Sequence, residues 1–220
     1  MEKHVYFVRH GESDSNANGI FRGEDALVTE VGKKQIALVA ERVARVGVEA
    51  IIASPFLRTI ETAQAVANLL NLPFETSELF IERRRPSTFK GKPYAEPHIS
   101  KASKDIFEGY LADGHRHSDE ENFADLKKRM LDSLSFLAKH PKSRICVATH
   151  GVFARILLAV VTAGTDTSGV DLQRALKTFV MDNTGITYLR FRSPAPYSHL
   201  LGTVLNEWQV ISWNDSAHLG

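Results

Sequence analysis

The chain has 220 residues, 43% of them hydrophobic and 24% charged, ordinary globular proportions that exclude a disordered or collagen-like chain. Lys and Arg number 27 against 26 Asp and Glu, so a net charge of +1 lacks the basic excess of a dedicated nucleic-acid binder. The one cysteine, Cys146, makes no internal disulfide and suits a core position in a cytoplasmic protein.

Met1 to His4 lead into only four apolar residues, Val5 to Val8, so the start does not read as a signal peptide. No run approaches the roughly 18 apolar residues of a membrane span. Residues 4–8 predict a strand buried on both faces, followed by polar turn-formers from Gly11 to Gly19. Thr29, Glu30 and Gly32 open a helix with Ile36, Val39, Ala40, Val43 and Val46 on one face and Gly47 to cap its end. Residues 50–53 form a second short apolar run. Ser54-Pro55 starts another helix, with Pro55 in the first turn, where a missing N–H is harmless. Residues 74–80 suit a third strand.

Residues 83–118 differ. They hold Arg83-Arg84-Arg85, the prolines Pro86, Pro93 and Pro97, several lysines and few aliphatics, and read as an irregular cap insertion over the core of a single domain, 1–220. The helical period returns between Asp119 and His140, with Phe123, Leu126, Met130, Leu134 and Leu137 inward. Residues 144–149 are a buried strand, followed by His150-Gly151 and an apolar helix. Residues 186–192 and 207–213 suit two late strands. Strands separated by helices predict an α/β domain with a mostly parallel sheet, whose ligands sit at the carboxyl ends of the strands.

Two strand ends carry an unusual pair: Arg9-His10-Gly11 and His150-Gly151. An imidazole can act as base, nucleophile or metal ligand, and a guanidinium fork suits phosphate or carboxylate. Gly11 lets backbone approach a ligand closely. One His-Gly pair alone reads first as a satisfied histidine. A third element, Ser54 to Ala63, places Arg58 in a first helical turn, where a cation opposes the helix dipole unless an anion is bound there.

Together these segments resemble the histidine phosphatase superfamily in its phosphoglycerate mutase-like branch. The likeness is carried by Val8-Arg9-His10-Gly11-Glu12-Ser13 with Asn16, by Arg22-Gly23 and Leu27 to Gly32, by Ser54-Pro55 with Arg58, Thr62 and Ala63, and by Thr149-His150-Gly151 with Arg155. The tail from Trp213 to Leu219 is a weaker match. Their order and spacing cover nearly the whole chain, with residues 83–118 the weak part.

The resemblance implies a three-layer α/β/α fold and a phosphomonoester hydrolase that needs no cofactor or metal. His10 is then the nucleophile that becomes a phosphohistidine. Arg9, Arg58 and a protonated His150 grip the phosphate oxygens, with Asn16, the Gly151 backbone, Gly11, Arg22 and Gly23 adding contacts. Glu82 matches the general acid, although pairing with Arg83, Arg84 or Arg85 is its plain alternative. Arg155 reads as structural. The expected partner is a small phosphorylated metabolite, with no nucleic acid and no membrane, and the family leaves a homodimer open.

Val152 stands where mutases usually carry asparagine, and Arg83 to Phe89 lacks their Tyr-Gly-Gly. Both departures favour hydrolysis over the alternative, phosphoglycerate mutase-type transfer. A catalytically weak binding or scaffold protein on the same fold is the rival from another class, and the presence of Arg9, His10, Arg58 and His150 together argues against it. The segment His115 to Glu121 lacks a recognised metal-ligand spacing and reads as a solvated loop. Arg83-Arg84-Arg85 with Lys90 and Lys92 reads as a basic patch over an anionic substrate.

Overall fold

A computed structural model describes residues 1–112 and 114–220. Four short apolar runs become parallel strands: β1 (Glu2–Arg9), β2 (Ala50–Ala53), β3 (Phe74–Thr76) and β4 (Arg144–Thr149). β5 (Ile186–Arg192) runs antiparallel to β1. A small hairpin of β6 (Tyr197–Ser198) and β7 (Thr203–Val204) precedes β8 (Trp208–Asp215), which pairs with β5. The six-stranded order is β3-β2-β4-β1-β5-β8, so β1 and β4 are central neighbours.

Alternation within β1 and β4 supplies two cores. Phe7, Ile145 and Val147 join one apolar cluster, while Val8, Cys146 and Ala148 join the other. Helices cover both faces. α2 (Glu30–Arg45) and α3 (Leu57–Leu70) bury Val39, Val43 and Val66 in the second cluster. α5 (Phe123–Lys139) and α6 (Gly151–Ala163) bury Met130, Leu137, Phe153 and Leu157 in the first. The short α1 (Asp14–Asn18) follows β1, and α7 (Gly169–Thr178) follows α6. The architecture is the expected three-layer α/β/α with a mostly parallel sheet.

Local chemistry sets the helix ends. Thr29 Oγ1 accepts from the Gly32 N–H at 3.0 Å to cap α2. Asn122 and Asp125 exchange capping bonds of 3.0 and 3.1 Å at the start of α5, so Asp119 to Glu121 precede that helix. Pro55 also lies outside its helix, because α3 begins at Leu57 after Phe56. The third strand ends at Thr76, and residues 78–80 form a 3₁₀ turn.

The largest difference from the sequence expectation lies in the cap. Residues 97–109 form α4 (Pro97–Gly109), with Ile99 and Ile106 in the core, so the insertion is partly regular. Pro97 sits at the helix start, where its fixed φ and missing N–H favour a helix over a break.

Candidate active site

The ladder of β1 and β4 ends at the pair Arg9 and Thr149, and the His10 N–H extends it to the Thr149 carbonyl at 3.0 Å. The Ser54 N–H likewise donates to the Ala148 carbonyl at 3.0 Å. The sheet therefore delivers His10, Ser54 and His150 just beyond the ends of β1, β2 and β4, where His10 lines a cleft of about 880 Å³ and Ser54 and His150 lie fully buried behind it.

Both imidazoles are buried and their hydrogen bonds settle their tautomers. His10 Nδ1–H donates to the Gly11 carbonyl at 2.7 Å, so Nε2 carries the lone pair. Arg58 Nε donates to that Nε2 at 3.0 Å. His150 Nε2–H donates to Ser54 Oγ at 2.8 Å, and its Nδ1 accepts from Arg58 Nη2 at 3.1 Å. Arg58 Nη1 donates to the Gly23 carbonyl at 2.7 Å.

Burial holds the pKa of His10 and of His150 well below the ordinary histidine value, and the charge of Arg58 lowers both further. These neighbours therefore favour the neutral form of the His150 imidazole. Burial also lowers the pKa of Arg9 and Arg58, while the Glu82 carboxylate pushes each back up.

Arg9 donates from Nη1 to the Met181 carbonyl, and its buried Nε has no hydrogen-bond partner. A side chain at Gly151 would place Cβ 3.2 Å from that Nε, so glycine gives the guanidinium its room. Gly11 does a different job from the ligand approach anticipated. A Cβ there would meet the Gly32 carbonyl and Ile36 at 2.7 Å, so its small size lets α2 pack against the loop after His10.

Asn16, Arg22 and Gly23 line the cleft as expected. Asn16 Oδ1 accepts from Asn183 Nδ2 at 3.3 Å, and Arg22 pairs with Asp14 at 3.5 Å. Glu82 also lines it, without pairing to its arginine neighbours. Its Oε1 accepts the N–H groups of Arg83 and Phe153 at 2.9 and 2.8 Å, and its Oε2 that of Val152 at 3.1 Å. The carboxylate therefore caps the start of α6 with one lone pair of Oε2 uncommitted. Arg155 borders the cleft too, donating Nε to the Gly151 carbonyl at 3.2 Å.

The basic run divides. Arg83 and Arg85 turn into the cleft, while Arg84 pairs with Glu78 at 3.1 Å and Lys90 with Asp25 at 2.7 Å on its rim. The segment His115 to Glu121 is organised around its own backbone, with Glu120 accepting the N–H groups of His117 and Ser118 at 2.6 and 2.8 Å.

Sequence reasoning missed the support from residues 181–184. Asn183 Nδ2 donates to the His10 carbonyl at 3.0 Å, and the Thr184 N–H to the Arg9 carbonyl at 3.0 Å. Thr184 holds a φ of 60°, a costly conformation for a β-branched residue and one placed directly against Arg9 and His10. The polar run Asp182-Asn183-Thr184-Gly185 just before a predicted strand was the available signal.

An unprotonated imidazole nitrogen, flanked by two guanidinium groups and a second imidazole in a closed-floored cleft, defines a site for phosphoryl transfer. The chain belongs to the histidine phosphatase superfamily, branch 1, whose family model matches residues 5–203. A protein of Hydrogenobacter thermophilus named as a phosphoserine phosphatase is 28% identical over 84% of this chain and 88% of its own. One of Yersinia enterocolitica named as the phosphoglycerate mutase GpmB is 30% identical over 71% of this chain and 74% of its own. The structure of a phosphoserine phosphatase mutant from Entamoeba histolytica, in complex with phosphoserine, superposes with a TM-score of 0.75 at 25% identity, covering 99% of this chain and 100% of that one. The chain is thus an enzyme of the histidine phosphatase class. Among the described residues no helix is long and apolar enough to cross a membrane.

Proposed function

We propose that the chain hydrolyses a small phosphomonoester through a phosphohistidine on His10, without a metal ion. The observation that supports this is the tautomer: the Gly11 carbonyl accepts a hydrogen bond from Nδ1–H, which leaves the Nε2 lone pair facing Arg58. An incoming phosphate displaces the Arg58 Nε–H from that lone pair and takes the guanidinium onto its own oxygens. Arg9, with an unpartnered Nε, supplies the second clamp. Fixed guanidinium charge then does the work that a divalent ion does in other phosphatases.

In the first step Nε2 forms a bond to phosphorus as the ester P–O bond breaks. The electron pair leaves on the ester oxygen, which takes a proton from Glu82 Oε2, the carboxyl oxygen with an open lone pair. In the second step water attacks phosphorus, gives its proton to Glu82, and the P–N pair returns to Nε2. Ser54 fixes the His150 ring, so Nδ1 donates to the phosphate only once it takes up a proton, which the negative charge of the phosphate favours. The enzyme is read as one domain whose segment 83–118 caps the cleft. Its single buried cysteine fits the reducing cytoplasm.

The mutase alternative uses the same phosphohistidine and returns the phosphate to an organic hydroxyl, the activity named for the Yersinia relative. One assay separates the two. With a panel of phosphomonoesters that includes phosphoglycerate, free phosphate should appear faster than the positional isomer, and His10→Ala should lower the rate by at least ~10³-fold. Isomer formation ahead of phosphate release would restore the mutase. Full activity in His10→Ala would remove the phosphohistidine.

A further inference from the structure

No residue of the tail from Trp213 to Leu219 lines the cleft, yet the tail is fastened to the segment that supports Arg9 and His10. Asn214 holds a left-handed φ of 49° near the end of β8. Its Oδ1 accepts the Asp182 N–H at 2.8 Å, and its Nδ2 donates to the Asp182 carboxylate at 2.9 Å. A Cβ on Gly185 would lie 2.1 Å from that Oδ1, so glycine is what admits the amide. Further along, in a 3₁₀ turn, His218 Nε2 lies 3.0 Å from Thr184 Oγ1. The threonine hydroxyl donates its one proton to the Asn183 carbonyl at 2.7 Å, so it accepts from His218 Nε2–H. His218 Nδ1 is buried with no hydrogen-bond partner among the described residues, which fits a neutral ring. Burial lowers the pKa of His218, and Arg42 lowers it further while Asp215 raises it. Asp215 in turn pairs with Arg42 of α2 and accepts the Ala217 N–H at 3.1 Å. The tail is thus anchored to α2 on one side and to residues 182–184 on the other.

That segment reaches Arg9 and His10 through its remaining groups. The Met181 carbonyl accepts from Arg9 Nη1, Asn183 Nδ2 donates to the His10 carbonyl at 3.0 Å, and the Thr184 N–H donates to the Arg9 carbonyl at 3.0 Å. Thr184 keeps its φ of 60° only while its surroundings over-determine it. The bond from His218 supplies part of that constraint from outside the cleft. Residues 181–184 therefore form a bridge, with the tail on one side and the end of β1 on the other.

We infer that Asn214 and His218 are positioning residues, which hold Arg9 and His10 in place through the bridge of residues 181–184. The inference rests on the proposed function only for what Arg9 and His10 do. Neither side chain lines the cleft, so each acts through its hydrogen-bonded partner and the precision of the geometry that partner sets.

Replacing the donor tests this. His218→Gln keeps an N–H donor for Thr184, whereas His218→Leu fills the space without one. His218→Leu should lower kcat/KM for p-nitrophenyl phosphate about 10- to 100-fold, the scale of a misplacement of about 1 Å, and His218→Gln should stay within about threefold of wild type. Calorimetry with inorganic phosphate reads the same geometry without turnover: affinity should fall about 10-fold in His218→Leu and be kept in His218→Gln. Thermal unfolding, measured alongside, separates loss of fold from loss of position. Should the leucine variant not fold, Asn214→Gly decides in its place, because glycine keeps the left-handed backbone and removes both bonds to Asp182. Wild-type activity and phosphate affinity in the folded variant, or equal losses in His218→Gln and His218→Leu, would overturn the inference. Phosphate affinity lost in His218→Leu and kept in His218→Gln, in a protein whose wild type releases no phosphate from any ester, would overturn the hydrolysis and leave the positioning role standing.

Discussion

Arg58 donates its Nε–H to the Nε2 of His10 over 3.0 Å, on the nitrogen proposed to attack phosphorus. The same guanidinium reaches His150 Nδ1 at 3.1 Å and the Gly23 carbonyl at 2.7 Å. One guanidinium therefore orients both imidazole rings. Arg58→Lys keeps the charge but loses the planar fork. It should lower kcat/KM for any phosphomonoester by about 10²–10³-fold, the worth of a lost transition-state donor, with little change in melting temperature. Activity within a few-fold of wild type would show that Arg58 does not carry the phosphate.

Glu82 has a distinct signature. If its Oε2 delivers the leaving-group proton, Glu82→Gln should slow alkyl phosphates by about 10²–10⁴-fold. It should slow p-nitrophenyl phosphate far less, because a nitrophenolate leaves without a proton. Equal slowing of both would reduce Glu82 to the cap of α6 that its bonds to Val152 and Phe153 describe.

The buried imidazoles make stability depend on pH in a defined direction. Both His10 and His150 have folded pKa values well below the unfolded value near 6.5. As pH falls through about 6.5 the unfolded chain takes up protons that the folded chain refuses, so stability is lost on acidification. Each histidine contributes a slope of about 1.4 kcal/mol per pH unit until its folded pKa is reached. Carboxylates with lowered pKa, such as Glu2 and Glu49, act in the same direction only near and below about pH 4.5. His218, its pKa lowered chiefly by burial, acts in the same direction, so urea midpoints should fall between pH 7 and 5.5, and His150→Gln should make the slope shallower. A flat profile over that window would mean that the rings are not buried as neutral groups.

These particulars show where sequence and structure part. His10, Arg9 and His150 were legible because the apolar runs of β1 and β4 end at them, and a parallel sheet gathers such ends at one edge. The charge state of His150 was not, since it depends on burial against Arg58 and His10. Pro97 hid α4 because proline starts a helix as readily as it breaks one. The split of Arg83 and Arg85 from Arg84 was equally hidden, being decided by Tyr110, Phe21 and Glu78 from other parts of the chain. Ser54 and Asn183 support the two histidines through tertiary hydrogen bonds that the sequence does not reveal.

The loop that carries Glu82 has its own brace. Arg129 forms a two-pronged buried ion pair with Glu121, both bonds 2.7 Å, and donates to the Leu79 and Ile81 carbonyls at 3.2 and 2.9 Å. Glu121 in turn accepts the Arg84 N–H at 2.8 Å, so the pair grips the chain on both sides of Glu82. Arg129→Met leaves a buried carboxylate unpaired and should cost about 3–5 kcal/mol in urea unfolding. Combining it with Glu121→Leu should recover much of that loss. Additive losses in the double variant would show that the two residues do not act as a pair.

The central claim is that phosphorus is bonded to His10 Nε2 between the two steps. Rapid quench with a ³²P-labelled phosphomonoester should trap a labelled protein that loses its label in acid and keeps it in base, with the label on the peptide containing His10. The label should form no more slowly than phosphate is released, and His10→Ala should show none. Turnover in the wild type with no trapped label, or the same label in His10→Ala, would contradict the account.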